Sequence, residues 1–236
     1  VIESINALSW LKQVLLVQLW FQPYFDGSSW DGPAWSISAE WLAYLLFGVL
    51  VLVVFRIARA TRARGLMVLA FVAALPPTLL LLGSGVFYTP WSWLPRIVAQ
   101  FLAGALACAA VRRLRLSERS ERRAGFASVL LTAAVVATLY YFDAHPVAGM
   151  VDPGGLVDVL FMPLAVSPAI GVGSLPALLS TRLLVYGGQI SFSIYMVHEM
   201  VHAAWNWCVE QYHLVMPKSV EKLVFVGLVA VVVLAA

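Results

Sequence analysis

Charge is what this sequence has least of. Its 15 lysines and arginines and 12 aspartates and glutamates make up 11% of 236 residues, where a soluble domain carries about 25%. Hydrophobic residues reach 62%, and the mean hydropathy is +0.89. So few polar side chains cannot cover a water-facing surface, which excludes a soluble enzyme, a nucleic-acid-binding module and a disordered tail. Cysteine is almost absent. Cys108 and Cys208 fall in separate apolar segments, so no disulfide framework or cysteine-based zinc site can be built from them. No internal repeat, long linker or soluble domain interrupts the chain, and residues 1–236 read as one integral-membrane domain. Opening at Val1 without a methionine and ending inside the apolar run VFVGLVAVVVLAA, it reads as a piece cut from a longer protein at both ends.

What is present in quantity is apolar runs. A bilayer core takes about 17–25 apolar residues per helical crossing. Such runs fall near 5–21, 39–55, 66–82, 94–111, 126–142, 156–173, 185–208 and 223–236. The fold class is therefore all-α, a polytopic transmembrane bundle of about eight helices. Lys12, Gln13 and Gln18 interrupt the first run, Pro163 and Pro168 the sixth. Pro76-Pro77 should break or kink the third, and the small residues of AGALACAA in the fourth suit close helix packing.

Basic residues give the orientation. Arg56, Arg59, Arg62 and Arg64 follow the second run, Arg112, Arg113, Arg115, Arg119, Arg122 and Arg123 follow the fourth, and Arg182 precedes the seventh. These alternate loops hold eleven of the fifteen basic residues, which assigns them to the cytoplasmic side. The opposite loops carry Asp26, Asp31, Asp143, Asp152, Glu210 and Glu221. Trp20, Trp30, Trp35, Trp41, Trp91, Trp93, Trp205 and Trp207 lie near the outer interface, as a belt of amphipathic rings would. The arginine-rich run RRLRLSERSERR reads as a solvated loop beside lipid headgroups, and nothing points to nucleic acid.

Polar residues at membrane depth are costly, so they are the first candidates for function. One cluster is PAWSISAEWLAYLLF at 33–47. Pro33 suits a helix start, Ser36 or Ser38 can cap the second helix, and Glu40 would then fall in its first turn, where the macrodipole favours a carboxylate. A capped helix end explains Glu40 but needs neither Trp35 nor Tyr44. The other cluster is GGQISFSIYMVHEMVHAAWNW at 187–207. There Ser191, Tyr195, His198, His202 and Asn206 recur at helical spacing along one face, with Glu199 at its border. At 1.5 Å per residue, His198 lies roughly 20 Å from the cytoplasmic start of its helix, a depth that Glu40 can share. A packing histidine remains the plain alternative for His198. His198 to His202 also reads HExxH, the pattern of a zinc protease. Such a site needs a third protein ligand; the Asp-Gly-like string VDPGG at 151–155 comes before the pair and His213 in an outer loop is an unsupported ligand, so no metal residue is assigned.

At these residues a family resemblance becomes specific. Trp35-Ser36-x-Ser38-x-Glu40 followed by Tyr44 resembles the tryptophan-serine-glutamate signature of the bacterial membrane acyltransferase type 3 family. Ile190-Ser191-Phe192-Ser193-Ile194-Tyr195-x-x-His198 is similar to its late motif, and Arg96 with Phe101 and Gly104 to a weaker middle pattern. Glu199 departs from the apolar or aromatic residue usual after that histidine. The resemblance runs from about Leu16 to Trp207. It implies an O-acyltransferase in the bacterial inner membrane. Its donor would be acyl-CoA, most often acetyl-CoA as co-substrate with no bound cofactor. Its acceptor would be a hydroxyl of a cell-surface glycan, a lipid or a secreted small molecule. The arginine and histidine of the family's first membrane helix have no counterpart here, which places the general base of the family upstream of Val1.

On this reading Glu40 and His198 are the catalytic candidates, Glu40 orienting or charge-tuning a histidine. Trp35, Ser36, Ser38, Tyr44, Arg96, Ser191 and Tyr195 are the substrate-binding candidates. CoA is cytoplasmic while these motifs point outward, so either the donor reaches deep into the bundle or the acyl group crosses by a relay. The competing classes are a transporter or flippase without chemistry and the HExxH protease.

Overall fold

The computed structural model describes residues 6–25, 27, 29–213 and 217–235; Asp26, one of the outer-loop acids, lies outside them. Among the described residues the chain is built of helices, with one isolated β-bridge between Val86 and Val151. The helices are α1 (Ala7–Val14), α2 (Ala34–Ala60), α3 (Ala63–Ala73), α4 (Pro76–Ser84), α5 (Trp93–Val111) and α6 (Glu118–Ala144). A 3-10 turn (Pro153–Val157) leads into α7 (Asp158–Ile170), followed by α8 (Ser174–Leu179), α9 (Arg182–Gln211) and α10 (Lys218–Ala235). Among the described residues, five stretches are long and apolar enough to cross a membrane: 34–60, 63–84, 93–111, 118–144 and 153–170.

Five of the eight expected crossings thus match among the described residues, and the count of eight is not confirmed. The first run is corrected outright. Its helix α1 has 8 residues, about 12 Å of rise against a hydrocarbon core of about 30 Å. It stops because Leu16 turns left-handed at φ 58°, sending Val17 N–H back to the Lys12 carbonyl at 2.9 Å. Helix α9 has 30 residues and length to spare, but its polar stripe lowers its hydropathy. In α10, Lys218, Glu221 and Lys222 crowd the first turns of an 18-residue helix.

The chain divides into two compact units, one of Val1–Leu19, Phe25–Ser38 and Ser180–Ala236, the other of Trp20–Tyr24 and Ala39–Leu179. In the second, the double proline does what its chemistry dictates. Helix α3 ends at Ala73, and Pro76 and Pro77 open α4, where a missing N–H costs nothing. Gly85 caps α4 in the left-handed region at φ 70°, and its carbonyl accepts Val151 N–H at 2.6 Å. The core joins Val54 and Ala58 of α2, Leu66 and Ala70 of α3, and Leu106, Ala107 and Ala110 of α5. Small residues on α5 let the backbones approach, and close packing is the main attraction available between helices in lipid. Trp93 is an exception to the belt of interfacial tryptophans: it is buried, and its indole N–H donates to the Gln22 carbonyl at 3.0 Å.

The first unit contains α1, α9, α10 and the loop that leads into α2. Helices α9 and α10 pack against each other. Gln18, fully buried, donates from Nε2 to Ser29 Oγ at 3.3 Å and to the Ala34 carbonyl at 3.0 Å. Beside it, Leu19 N–H donates to Ser38 Oγ at 3.2 Å.

Enlarging the α3–α5 contact should be felt at once, because no void receives the added atoms. Ala70→Leu is expected to destabilise the protein by about 1–3 kcal/mol, read as a lowered thermal midpoint in detergent, whereas Val49→Leu on the exposed face of α2 should leave that midpoint within error.

Candidate active site

In the first unit a cavity of about 320 Å³ is lined by Phe25, Gly27, Ser29, Trp30, Gly32, Pro33, Trp35, Tyr195, His198 and Glu199. That volume falls at the lower end of small-molecule sites. The loop and α9 build it together. Gly32 lies so close to the Glu199 carboxylate that a Cβ there would collide with it. Only glycine lets this loop pass without pushing the acid aside. Trp35 packs its ring on Phe25, with centroids 4.7 Å apart.

His198 contributes the imidazole of this cavity. Its Nδ1 lies 2.5 Å from the Tyr195 carbonyl. A carbonyl only accepts, so Nδ1 carries the hydrogen, and in the neutral ring Nε2 is left as the acceptor. That tautomer is the one a general base needs. The Tyr195 ring stands 5.8 Å from the imidazole, tilted by 33°.

Asp31 is the residue that sequence reading missed. It was counted only as an outer-loop acid, yet it sits within electrostatic reach of His198 and Glu199. Burial is the larger cause that pushes its carboxyl above the ordinary 3.8; the Glu199 carboxylate adds to the rise and His198 opposes it. Asp31 Oδ1 is buried with no hydrogen-bond partner among the described residues. The signal available in the sequence was Gln18, a costly polar residue in an apolar run, whose two hydrogen bonds hold this loop.

The remaining candidates lie as follows. Helix α2 starts at Ala34, and its first N–H groups bond to the carbonyls of Asp31, Gly32 and Pro33, so neither serine is the cap. Ser36 Oγ instead donates back to the Pro33 carbonyl at 2.9 Å, and Ser38 is fully buried with its hydroxyl accepting Leu19 N–H. Glu40 falls in the second turn rather than the first, beyond the reach of the helix dipole. It belongs to the second unit, where Tyr44 O–H donates to its Oε2 at 3.4 Å. Arg96, also in the second unit, donates to the Phe87 carbonyl and lays its guanidinium over the Phe87 ring at 3.6 Å. Ser191 Oγ donates to the Gly188 carbonyl at 2.7 Å. The cavity therefore brings together Trp35, Tyr195 and His198 of the expected set.

A larger cavity of about 670 Å³ beside α6 and α8 is lined by apolar side chains with Thr132, Tyr140 and Ser174, and holds no histidine or carboxylate. Of the HExxH pair, His202 meets Phe225 edge to face at 5.5 Å. Among the described residues no three His, Cys, Asp or Glu side chains converge as metal ligands.

Because the folded state raises the Asp31 value, folding takes up a proton there. The stability this contributes is complete below pH 3.8 and is lost as pH rises through the elevated value. Asp31→Asn should remove that loss, so its thermal midpoint should gain on the wild type as pH rises through the acid range; parallel curves would show that Asp31 is not in this environment.

A model of the acyltransferase domain matches residues 3–236. No curated protein and no solved structure matches the chain. The match spans both polar clusters and the helices between them, and with it the reading as a transporter without chemistry falls away. The chain belongs to the acyltransferase type 3 family and is a multi-pass membrane acyltransferase.

Proposed function

We propose that the reaction is transfer of an acyl group, acetyl in the simplest case, from acyl-CoA to a hydroxyl of a cell-surface glycan, a lipid or a secreted small molecule, at the bacterial inner membrane. The observation that carries the reading is the tautomer of His198: Nδ1–H is tied to the Tyr195 carbonyl, and Nε2 is the acceptor in a cavity with polar walls.

In the mechanism, the role of base is assigned to His198 in place of the first-helix histidine that the family resemblance implies: its Nε2 takes the proton of the acceptor hydroxyl as the hydroxyl oxygen attacks the thioester carbonyl. The carbon–sulfur bond breaks as the tetrahedral intermediate collapses, and the departing thiolate takes the proton back from the imidazolium. The backbone carbonyl of Tyr195 stabilises the imidazolium that forms between these steps, since both ring nitrogens are then donors. The Tyr195 hydroxyl is the group of the cavity suited to donate to the developing oxyanion. Trp30 and Trp35 form apolar walls that exclude water and offer rings on which a sugar or acyl group can rest. Ser36, Ser38 and Ser191 act by holding the loop and α9, as their hydrogen bonds to backbone groups support. Glu40 with Tyr44 is assigned to orienting or charge-tuning a catalytic histidine, and Arg96 to an anionic group of a substrate; both assignments rest on the family motifs.

The test uses the full-length protein and a labelled acyl donor. His198→Ala should lower the transfer rate about 10²–10⁴-fold, the usual contribution of a positioned general base, and Glu40→Ala should lower it less. Tyr195→Phe should reduce the rate while preserving the bell of the pH profile. Unchanged transfer by both the His198 and Glu40 variants would overturn the site.

A further inference from the structure

The outer turns of α9 and the first turns of α10 enclose a second polar cavity, of about 230 Å³, lined by His202, Trp205, Lys218, Glu221, Lys222 and Phe225. Two observations ask for a ligand. The Trp205 indole N–H is buried without an acceptor among the described residues, a loss of about 1–3 kcal/mol unless something fills its place. Lys218 and Lys222 are also exceptions to the orientation of the chain. The arginine-rich loops put most basic residues on one side, and on that topology these two lysines stand on the other. With Glu221 between them the cup keeps one positive charge in surplus, which the single negative charge of a phosphodiester neutralises, whereas a doubly charged monoester would leave a net negative charge.

The cup does not end in solvent. Phe225 forms a wall both of it and of a groove of about 480 Å³ lined by Ile190, Ile194, His198, Val226, Val229, Ala230 and Val233. From Phe225 to Val233 the helix rises roughly 12 Å, so the groove follows α9 and α10 away from the cup far enough to hold the upper part of a hydrocarbon chain. A cationic cup leading into an apolar channel has the polarity of one phospholipid: the phosphate meets the lysines and the indole N–H, and an acyl chain lies along the two helices. We propose that α9 and α10 form a built site for a single anionic phosphodiester lipid, its phosphate held by Trp205, Lys218 and Lys222 and one of its chains running past His198. This inference goes beyond acyl transfer and does not depend on it.

The experiment is native mass spectrometry of the full-length protein in detergent, titrated with phosphatidylglycerol, with diacylglycerol of the same chains, and with inorganic phosphate. Phosphatidylglycerol should be retained as one bound molecule and should bind at least 10-fold more tightly than diacylglycerol. Lys218→Gln with Lys222→Gln should weaken it roughly 30-fold, the loss of two membrane-surface cations, without a change in melting, because both side chains are exposed. Trp205→Phe should weaken it while keeping the ring. Val229→Trp should block the chain and weaken both lipids. Equal retention of phosphatidylglycerol by the double-lysine variant and the wild type would overturn the site. So would binding of inorganic phosphate as tight as that of the lipid with no effect of Val229→Trp, which would make the cup a phosphate site without a lipid.

Discussion

A polar side chain buried inside a protein must find a partner or cost several kcal/mol, and Gln18 meets that constraint through its Nε2, while its buried Oε1 has no partner among the described residues. Its amide reaches Ser29 and the Ala34 carbonyl, and the neighbouring Leu19 N–H reaches Ser38. These three bonds keep the loop from Ser29 to Ala34 folded. The same need ends α1 after 8 residues, because a helix continuing through Gln18 would carry the amide away from its partners. A segment that composition alone reads as a crossing becomes the support of a polar cavity.

A short list of groups sets the polarity of that cavity. The Tyr195 carbonyl selects the tautomer of His198. Glu199 and Asp31 bring negative charge to the same surroundings, and Gly32 admits the Glu199 carboxylate where any larger residue would expel it. Asp31 costs stability in its ionised form, a cost that active sites commonly carry. His198 also forms a wall of the apolar groove between α9 and α10. One imidazole therefore faces both a polar and an apolar environment, as an enzyme working at a membrane requires.

Much of this was legible in the sequence where one physical rule dominates. Pro76-Pro77 divides α3 from α4 as the loss of two N–H groups demands. Ala103, Ala107 and Ala110 are buried in helix packing, as a run of small residues predicts. Tyr195 and His198 share a cavity, as their spacing on α9 implied. The failures came where tertiary hydrogen bonds override local pattern. Gln18 read as a flaw in a membrane helix rather than as a clamp. Glu40 was placed in the first turn because Ser36 and Ser38 look like caps; backbone carbonyls of the loop cap the helix instead and move its start to Ala34. Asp31 had no periodicity to mark it, since only the fold of the loop brings it to His198.

The central claim is that the Asp31–Gly32 turn lies against α9 at Glu199. The most direct measurement is cross-linking in the full-length protein after replacement of Cys108 and Cys208, with cysteines introduced at Gly32 and Glu199 and a short bifunctional thiol reagent. The account predicts rapid, near-complete cross-linking of that pair and little for Gly32 with Val201, which points to the opposite side of the helix. Equal cross-linking of the two pairs, or none of either, would contradict it.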